Sequence, residues 1–546
     1  MDKLRERAVV HSALWSAAGD ALGWMTELSR GPSGVTYRTG SAKVTEPVDW
    51  RRLIGGRNGP RVHLPAGTYS DDTQLRLAVC RSIRGDGSFD AETFGKIELT
   101  VWPTYALGGG LGTKAAALNL SRRTVNWFSN FFDNAGQRYV NGGGNGAAMR
   151  IQPHVWSSRK LDDQMLLNVV RDALITHGHP HGFCGAVFHA LCLDEAINHG
   201  SISEPQALHR HFDRLKELGR VIALDPQLAA FWRSTWENDV GMSITNAIGK
   251  MVEEARHDLD LVASLEPGIK DIFYHRCLEQ LGCLTAQFRG SGFKTALAAS
   301  LLAHIYRDHD TAVALVVAAN ELESDTDTIA TMAGALLGAV SDQPPEWSIQ
   351  DQKYIVSEAL RLAAIARGEP QESFAYPDIG HWNPPTKQTA SIGWDNGKLA
   401  IAGLGALEPV GEEYGNGDAI WQWLALPFGQ TILAKRKANL KDRINTSQLP
   451  GPRLPARSVL TSSGRQTEQS SLPFEGSVRS RDNAMRQPSA QDGIDAWTDA
   501  VIRSNFDDTE LGRLLNRCID LTGSVDATVA FSAIIAKAKL ARKKRR

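Results

Sequence analysis

Ser324-Asp325-Thr326-Asp327-Thr328-Ile329-Ala330-Thr331-Met332-Ala333-Gly334-Ala335-Leu336-Leu337 sets a short acidic, hydroxyl-bearing run in front of an apolar stretch. Ile329, Met332, Ala333, Leu336 and Leu337 recur at helical spacing, so the run opens a helix whose body is buried. An earlier stretch repeats the arrangement: Ser70-Asp71-Asp72-Thr73 precedes Leu75, Leu77, Ala78 and Val79. Either run alone reads as ordinary helix capping, because acids and hydroxyls satisfy free amides at a helix start. Together they change the reading. Two acids and a following hydroxyl in Asp325–Thr328 are packed tighter than capping requires, and their repulsion calls for a counter-charge. With only oxygen donors near at hand, a hard cation such as Mg²⁺ or Mn²⁺ suits them better than zinc.

Helical patterning extends outward from these runs. Ala8 to Leu22, Ala186 to Ile197, Phe293 to Ile305 and Thr311 to Ala319 are Ala- and Leu-rich segments of helical length. Strand-like alternation is nearly absent before residue 370. Between the helical segments lie glycine-dense loops, Gly108-Gly109-Gly110-Leu111-Gly112 and Gly142-Gly143-Gly144-Asn145-Gly146. The expected fold is all-α, with the chemistry on the loops of one helical domain, residues 1–370. Residues 371–444 carry Trp382, Trp394, Trp421 and Trp423, many glycines and short β-compatible runs such as Lys398 to Ile401. They read either as a small appended β domain or as an irregular extension packed on the helical body. Residues 445–492, rich in Ser, Arg, Gln and Pro, read as a flexible linker, and residues 493–546 as a C-terminal helical segment. Its basic end, Ala541-Arg542-Lys543-Lys544-Arg545-Arg546, reads as a solvated tail or as a weak nucleic-acid contact.

Composition excludes several classes. The 546 residues hold 61 acids against 60 Lys and Arg, so no global field points to nucleic acid or to an acidic substrate. An apolar share of 42% supports a sizeable core. The six cysteines show neither CxxC pairing nor zinc-like spacing and suit a reducing compartment. Met1 to Val10 is charged, unlike a signal peptide, and no uncharged run approaches the ~18 residues of a membrane span. The expectation is a soluble, cytoplasmic protein without a membrane partner.

Five elements, in order, resemble the ADP-ribosylglycohydrolase family. They are Ala18-Gly19-Asp20-Ala21-Leu22-Gly23 with Glu27, Ser70-Asp71-Asp72-Thr73, and Gly144-Asn145-Gly146-Ala147-Ala148-Met149-Arg150. Thr176-His177 with Pro180, and Asp325-Thr326-Asp327-Thr328-Ile329-Ala330, complete the set. The resemblance spans roughly residues 8 to 340 and implies a compact all-α domain with two Mg²⁺ or Mn²⁺ ions in a cleft. By position, the implied metal ligands are Ser70, Asp71, Asp72, Asp325, Asp327 and Thr328. The implied reaction is hydrolysis of the glycosidic bond between ADP-ribose and a modified acceptor, a protein side chain foremost. Such cleavage passes through an oxocarbenium-like state, so it needs a positioned water and a nearby carboxylate, for which Asp71 or Asp72 is the expected residue.

Glu27 and Glu46 are further implied catalytic carboxylates, Glu46 being the only Glu between Ser29 and Ala66. Gly110, Gly112 and Thr113, with Gly144, Asn145 and Gly146, would cradle the diphosphate and distal ribose on backbone amides. Alone, the 108–112 glycines read as tight turns. His177 reads as a phosphate contact or as a structural hydrogen-bonder. The chain departs from the family pattern at Glu323-Ser324, where relatives usually carry glycines, and at Trp24-Met25-Thr26, where they carry small residues. The Ser29–Ala66 stretch is expected to be a long mobile loop. Two other functions remain open: an ADP-ribose-binding scaffold without turnover, and hydrolysis of a small ribosyl derivative. Residues 376–546 are expected to select a partner.

Overall fold

The computed structural model describes residues 2–56, 59–451, 494–522 and 525–544. The described residues up to 451, apart from 225–232, form one compact unit; 225–232 and the described residues after 493 form another. Helices dominate both, and a small β-sheet joins them late in the first.

The long N-terminal helix, Asp2–Trp24, packs antiparallel along Thr326–Val340. The sequence permits this contact because both helices carry glycines four residues apart on the facing side. A Cβ placed on Gly19 would lie 2.3 Å from the Ala330 carbonyl oxygen, and one on Gly23 2.4 Å from that of Thr326. In return, Gly334 and Gly338 face the carbonyl oxygens of Trp15 and His11, with a built Cβ at 2.4 and 2.7 Å. The two backbones therefore touch. Hydroxyls bind the pair further: Thr326 Oγ1 donates to the Gly23 carbonyl at 2.9 Å and Thr331 Oγ1 to that of Ser16 at 2.8 Å. Pro180–His199 and Gly292–Tyr306 cross in a similar way at Gly185 and Gly292.

The Ser29–Ala66 stretch departs from the expected mobile loop. It forms the helix Gly31–Thr39 and an antiparallel hairpin, Trp50–Leu53 with Arg61–Leu64. Trp50 packs edge-on against Trp24, and alternate residues Trp50, Val62 and Leu64 are buried, which gives the hairpin an apolar face. A second, two-residue hairpin joins Asp133–Asn134 to Gln137–Arg138, so the helical region is not free of strands.

Residues 392–437 form a five-stranded antiparallel meander: Ile392–Asp395, Lys398–Ile401, Gly405–Asn416, Ala419–Ala425 and Thr431–Lys437. Asn396 and Gly397, both at positive φ, make its first tight turn. This sheet belongs to the same compact unit as the helices. Residues 445–451 are also held: Gly451 N donates to the Ala375 carbonyl at 3.0 Å, and the Gln448 side chain to that of His381 at 2.8 Å. The rest of the expected linker lies outside the described residues.

A buried ion pair ties the sheet to the Asp71 helix, Asp71–Ser82. Arg81 grips Glu98 with two hydrogen bonds, 2.7 and 2.9 Å, while its third nitrogen donates to Gln430 Oε1 at 2.7 Å. Tyr376 donates to Glu98 Oε1 at 2.5 Å. Removing one partner strands the other charge away from water, so Arg81→Ala is expected to cost about 3–5 kcal/mol of stability. Urea unfolding of the purified variant measures it; a loss within experimental error would show that water reaches Glu98.

The second unit gathers helices Ile494–Arg503, Asp508–Thr522 and Val525–Lys544 around Trp497, Val501, Phe506, Leu514, Cys518, Phe531 and Ile535. The basic end continues the last helix through Lys544; Arg545 and Arg546 lie outside the described residues. Among the described residues, no helix is long and apolar enough to cross a membrane.

Candidate functional site

Asp20 organises the site, and its role is not evident from the sequence alone. It is fully buried near the end of the N-terminal helix and turns both carboxylate oxygens on the start of the Asp71 helix. Oδ1 accepts the Ser70 amide at 2.9 Å; Oδ2 accepts the Thr73 amide at 2.9 Å and its hydroxyl at 2.5 Å. A helix start has free amides to satisfy, and Asp20 does so from fifty residues upstream. The sequence marks Asp20 only as part of the Ala18–Gly23 element, without a role of its own.

Ser70 caps the same helix, accepting the Asp72 amide at 3.3 Å. Asp71 turns toward the 107–109 loop, where its Oδ1 accepts the Gly109 amide at 2.7 Å. Gly108 sits at φ +101°, and a Cβ there would strike Asp71 Oδ1 at 2.5 Å, so glycine is required. Asp72 faces the other run: Thr328 Oγ1 donates to its Oδ1 at 3.4 Å, while its buried Oδ2 has no hydrogen-bond partner among the described residues. Asp327 is buried beside them, and Asp325 Oδ2 accepts from Asn145 Nδ2 at 2.9 Å. The two acidic runs and the Asn145 loop thus meet at one place.

Glu27 joins this group through the field it shares with Asp71 and Asp325, and pairs with Arg52 at 2.9 Å. Arg52 also reaches the Trp24 carbonyl at 3.3 Å. The bulk of Trp24, Met25 and Thr26 goes into the core, not over Glu27; Thr26 Oγ1 donates to the Ala319 carbonyl at 2.6 Å. Glu323 is exposed, in the field of His275, while Ser324 is buried beside Asp325. The extra carboxylate at this departure therefore stands in solvent. Glu46 is also exposed, and no hydrogen bond or ion pair of the described residues joins it to the carboxylates; the structure does not bring it into the group.

The opposite wall is built from loops. The Gly142–Gly146 loop is laced to residues 290–292: Asn145 N donates to the Gly290 carbonyl and Gly292 N to that of Gly143, both at 2.9 Å. Arg150 holds the loop from beneath, donating to the Gly146 carbonyl at 2.7 Å and pairing with Asp172 at 2.8 Å. Thr113, Gly146 and His177 meet: a Cβ on Gly146 would lie 2.8 Å from Thr113 Oγ1 and 3.1 Å from the His177 ring. His177 bonds the Thr176 hydroxyl through Nδ1 at 2.7 Å, and burial with Arg150 nearby lowers it to about 3, so the ring is neutral. Gly110 and Gly112 face open space, with nothing within 4 Å of a built Cβ. Sequence order placed none of these contacts, although it named the residues.

The electrostatics are one-sided. Asp20, Glu27, Asp71, Asp72, Asp325 and Asp327 share a region in which the fields of Arg38, Arg52, Arg76 and Lys114 only partly offset theirs. Burial, then Glu27 and Asp20, raises Asp71 to about 8. Burial, then neighbouring carboxylates, raises Asp72 and Asp327 well above the usual range. Among the described residues no three Asp, Glu, His or Cys side chains gather closely enough to hold an ion unaided. The hydroxyls of Ser70 and Thr328 would have to contribute. The donor set still fits a hard cation: all oxygen, over-charged, with one carboxylate oxygen unpartnered.

This arrangement gives a testable pH dependence. Asp71, Asp72 and Asp327 hold their protons to higher pH in the fold than in the unfolded chain, where Asp titrates near ~3.9. The Asp71 contribution to stability is complete below that value and is lost as pH rises through about 8, and Asp72 and Asp327, also raised, act in the same direction. In chelator, Tm is expected to fall between pH 6 and 9, and Mg²⁺ to restore more of it at the upper end, because cations bind the ionised carboxylates. Scanning calorimetry checks both; a Mg²⁺ effect independent of pH would contradict this account.

A family model covers the helical part of the chain. The family model "ADP-ribosylglycohydrolase" matches residues 1–372. The ADP-ribosylhydrolase ARH3 of Xenopus tropicalis is 24% identical over 311 residues, covering 53% of this chain and 78% of that protein. A solved structure titled "ADP-ribosylglycohydrolase-related protein complex" aligns over 67% of this chain and 99% of its own, at 22% identity and a TM-score of 0.40.

Proposed function

Because the chain belongs to the ADP-ribosylglycohydrolase family, we propose that it hydrolyses the glycosidic bond joining ADP-ribose to a modified acceptor, with protein side chains as the main acceptor class. The carrying observation is the meeting of both acidic runs with the Asn145 loop around an unpartnered Asp72 oxygen. Ser70, Asp71, Asp72, Asp325, Asp327 and Thr328 would hold two Mg²⁺ or Mn²⁺ ions. Bound there, the ions would neutralise the carboxylates, orient the ribose hydroxyls and acidify a water.

The chain's own groups supply the rest. A carboxylate of Asp71 or Asp72 takes the water's proton as its oxygen meets the anomeric carbon. Glu27, held by Arg52, faces the same group of charges and completes the set. The open face at Gly110 and Gly112, with Thr113, Asn145, Gly146 and neutral His177, would receive the diphosphate on backbone amides. The exposure of Glu323 favours turnover over a binding-only scaffold, since no extra side-chain charge enters the group. Six buried free thiols accord with a reducing, cytoplasmic setting. The test is release of free ADP-ribose from modified protein with and without chelator; absence of any metal-dependent release would overturn the proposal.

A further inference from the structure

A basic groove of about 490 Å³ opens beside the Glu27–Arg52 pair. Five arginines line it (Arg30, Arg38, Arg51, Arg52 and Arg61) together with Tyr37, and its lining includes no carboxylate. The helix Gly31–Thr39 and the Trp50–Leu64 hairpin bring them together. Arg38 and Arg52 are committed to the site, donating to the Glu27 carbonyl and carboxylate at 2.7 and 2.9 Å. Arg30, Arg51 and Arg61 are exposed, and among the described residues none has a carboxylate partner. The Arg61 guanidinium lies 4.5 Å over the ring of Tyr37, which is 69% exposed.

Setting three exposed arginines, Arg30, Arg51 and Arg61, beside two more guanidiniums is unfavourable without an anion to answer them. Nothing in the neutral balance of the whole chain, −1 overall, requires it. We infer that the groove is a single-stranded nucleic-acid track, adding a second acceptor class whose attached ADP-ribose enters the carboxylate cleft. Guanidinium forks match phosphate oxygens two bonds at a time, and an exposed aromatic ring offers a stacking surface to any unpaired base. An acidic peptide would meet the charges but leave the Tyr37 ring unused. The location also fits: Arg52 touches Glu27 on one side and lines the groove on the other, so the groove adjoins the carboxylate group. The chemistry is unchanged. The water oxygen bonds the anomeric carbon, the bond to the acceptor breaks, and the proton taken up by the carboxylate passes on to the acceptor.

The inference rests on the proposed hydrolysis, and the experiment separates the two. Full-length protein and the variant Arg51→Glu/Arg61→Glu are titrated into a fluorescein-labelled single-stranded DNA of ~12 nucleotides, by anisotropy, at several NaCl concentrations. Both are also assayed for ADP-ribose release from a modified protein and from the same DNA carrying ADP-ribose. Wild type is expected to bind the DNA; the variant should bind at least ~10-fold more weakly, with a log–log salt slope shallower by ~1.4. It should release ADP-ribose from protein at the wild-type rate and from DNA more slowly. Equal DNA affinity of the two proteins, no binding at ~50 mM salt, or equal binding of a polyglutamate peptide would overturn the inference while leaving hydrolysis standing. Loss of release from both substrates in wild type would overturn the proposed hydrolysis itself.

Discussion

Asp72→Asn is expected to lower the proposed ADP-ribose release by about a thousandfold or more while the protein stays folded. Asparagine has the same shape, so the packing around residue 72 and the hydrogen bond from Thr328 both survive. What disappears is the negative charge and the acceptor at Oδ2, the buried oxygen to which no group among the described residues donates. Neutralising one member of a crowded carboxylate group also relieves repulsion with Asp20, Asp71 and Asp325. The variant should therefore melt no lower than wild type in chelator and gain less from Mg²⁺. Turnover at the wild-type rate would remove Asp72 from the chemistry, and unfolding in chelator would show that its charge supports the fold.

Gly23→Val has the opposite character: it breaks the scaffold without touching a charge. A Cβ at residue 23 would sit 2.4 Å from the Thr326 carbonyl oxygen and 2.5 Å from the Asp327 Cα. Both are backbone atoms, with no rotamer to turn away. Ordinary overpacking of a core costs about 1–3 kcal/mol, and here the two helices themselves must part, so a loss of at least about 3 kcal/mol is expected. Activity should fall with it, because Asp20 and Asp327 ride on these two helices. Gly112→Ala is the control: nothing lies within 4 Å of its Cβ, and stability should be unchanged. Urea denaturation of the three proteins decides; equal stability of Gly23→Val would show that the contact can open freely.

Much of this was legible residue by residue. The helix after Asp325, the helical Ala/Leu segments and the convergence of the two acidic runs could be read because periodicity is local and the motifs are compact. The Trp50–Leu53 and Arg61–Leu64 strands were missed because four residues each, with arginines on the open face, carry too little alternation to register. Asp20 escaped for a different reason. Its partners are Ser70 and Thr73, and nothing near residue 20 announces them. Glu46 was marked as the lone Glu of its stretch, but Val44, two residues before it, is anchored to Asn320 and leaves Glu46 outside. Spacing along the chain does not reveal such long-range pairings.

The pairing of the first helix with Thr326–Val340 also sets the order in which the molecule is completed. A ribosome that has released the chain through Asn320 has already made Asp71, Asp72 and both glycine loops. Yet the glycine face of the N-terminal helix still waits for the backbone that covers it. Contacts between residues this distant close slowly, so the nascent chain spends most of its synthesis with that groove open, a natural station for a chaperone. The proposed hydrolysis is then expected only of chains translated past Val340, where both helices of the pair are complete.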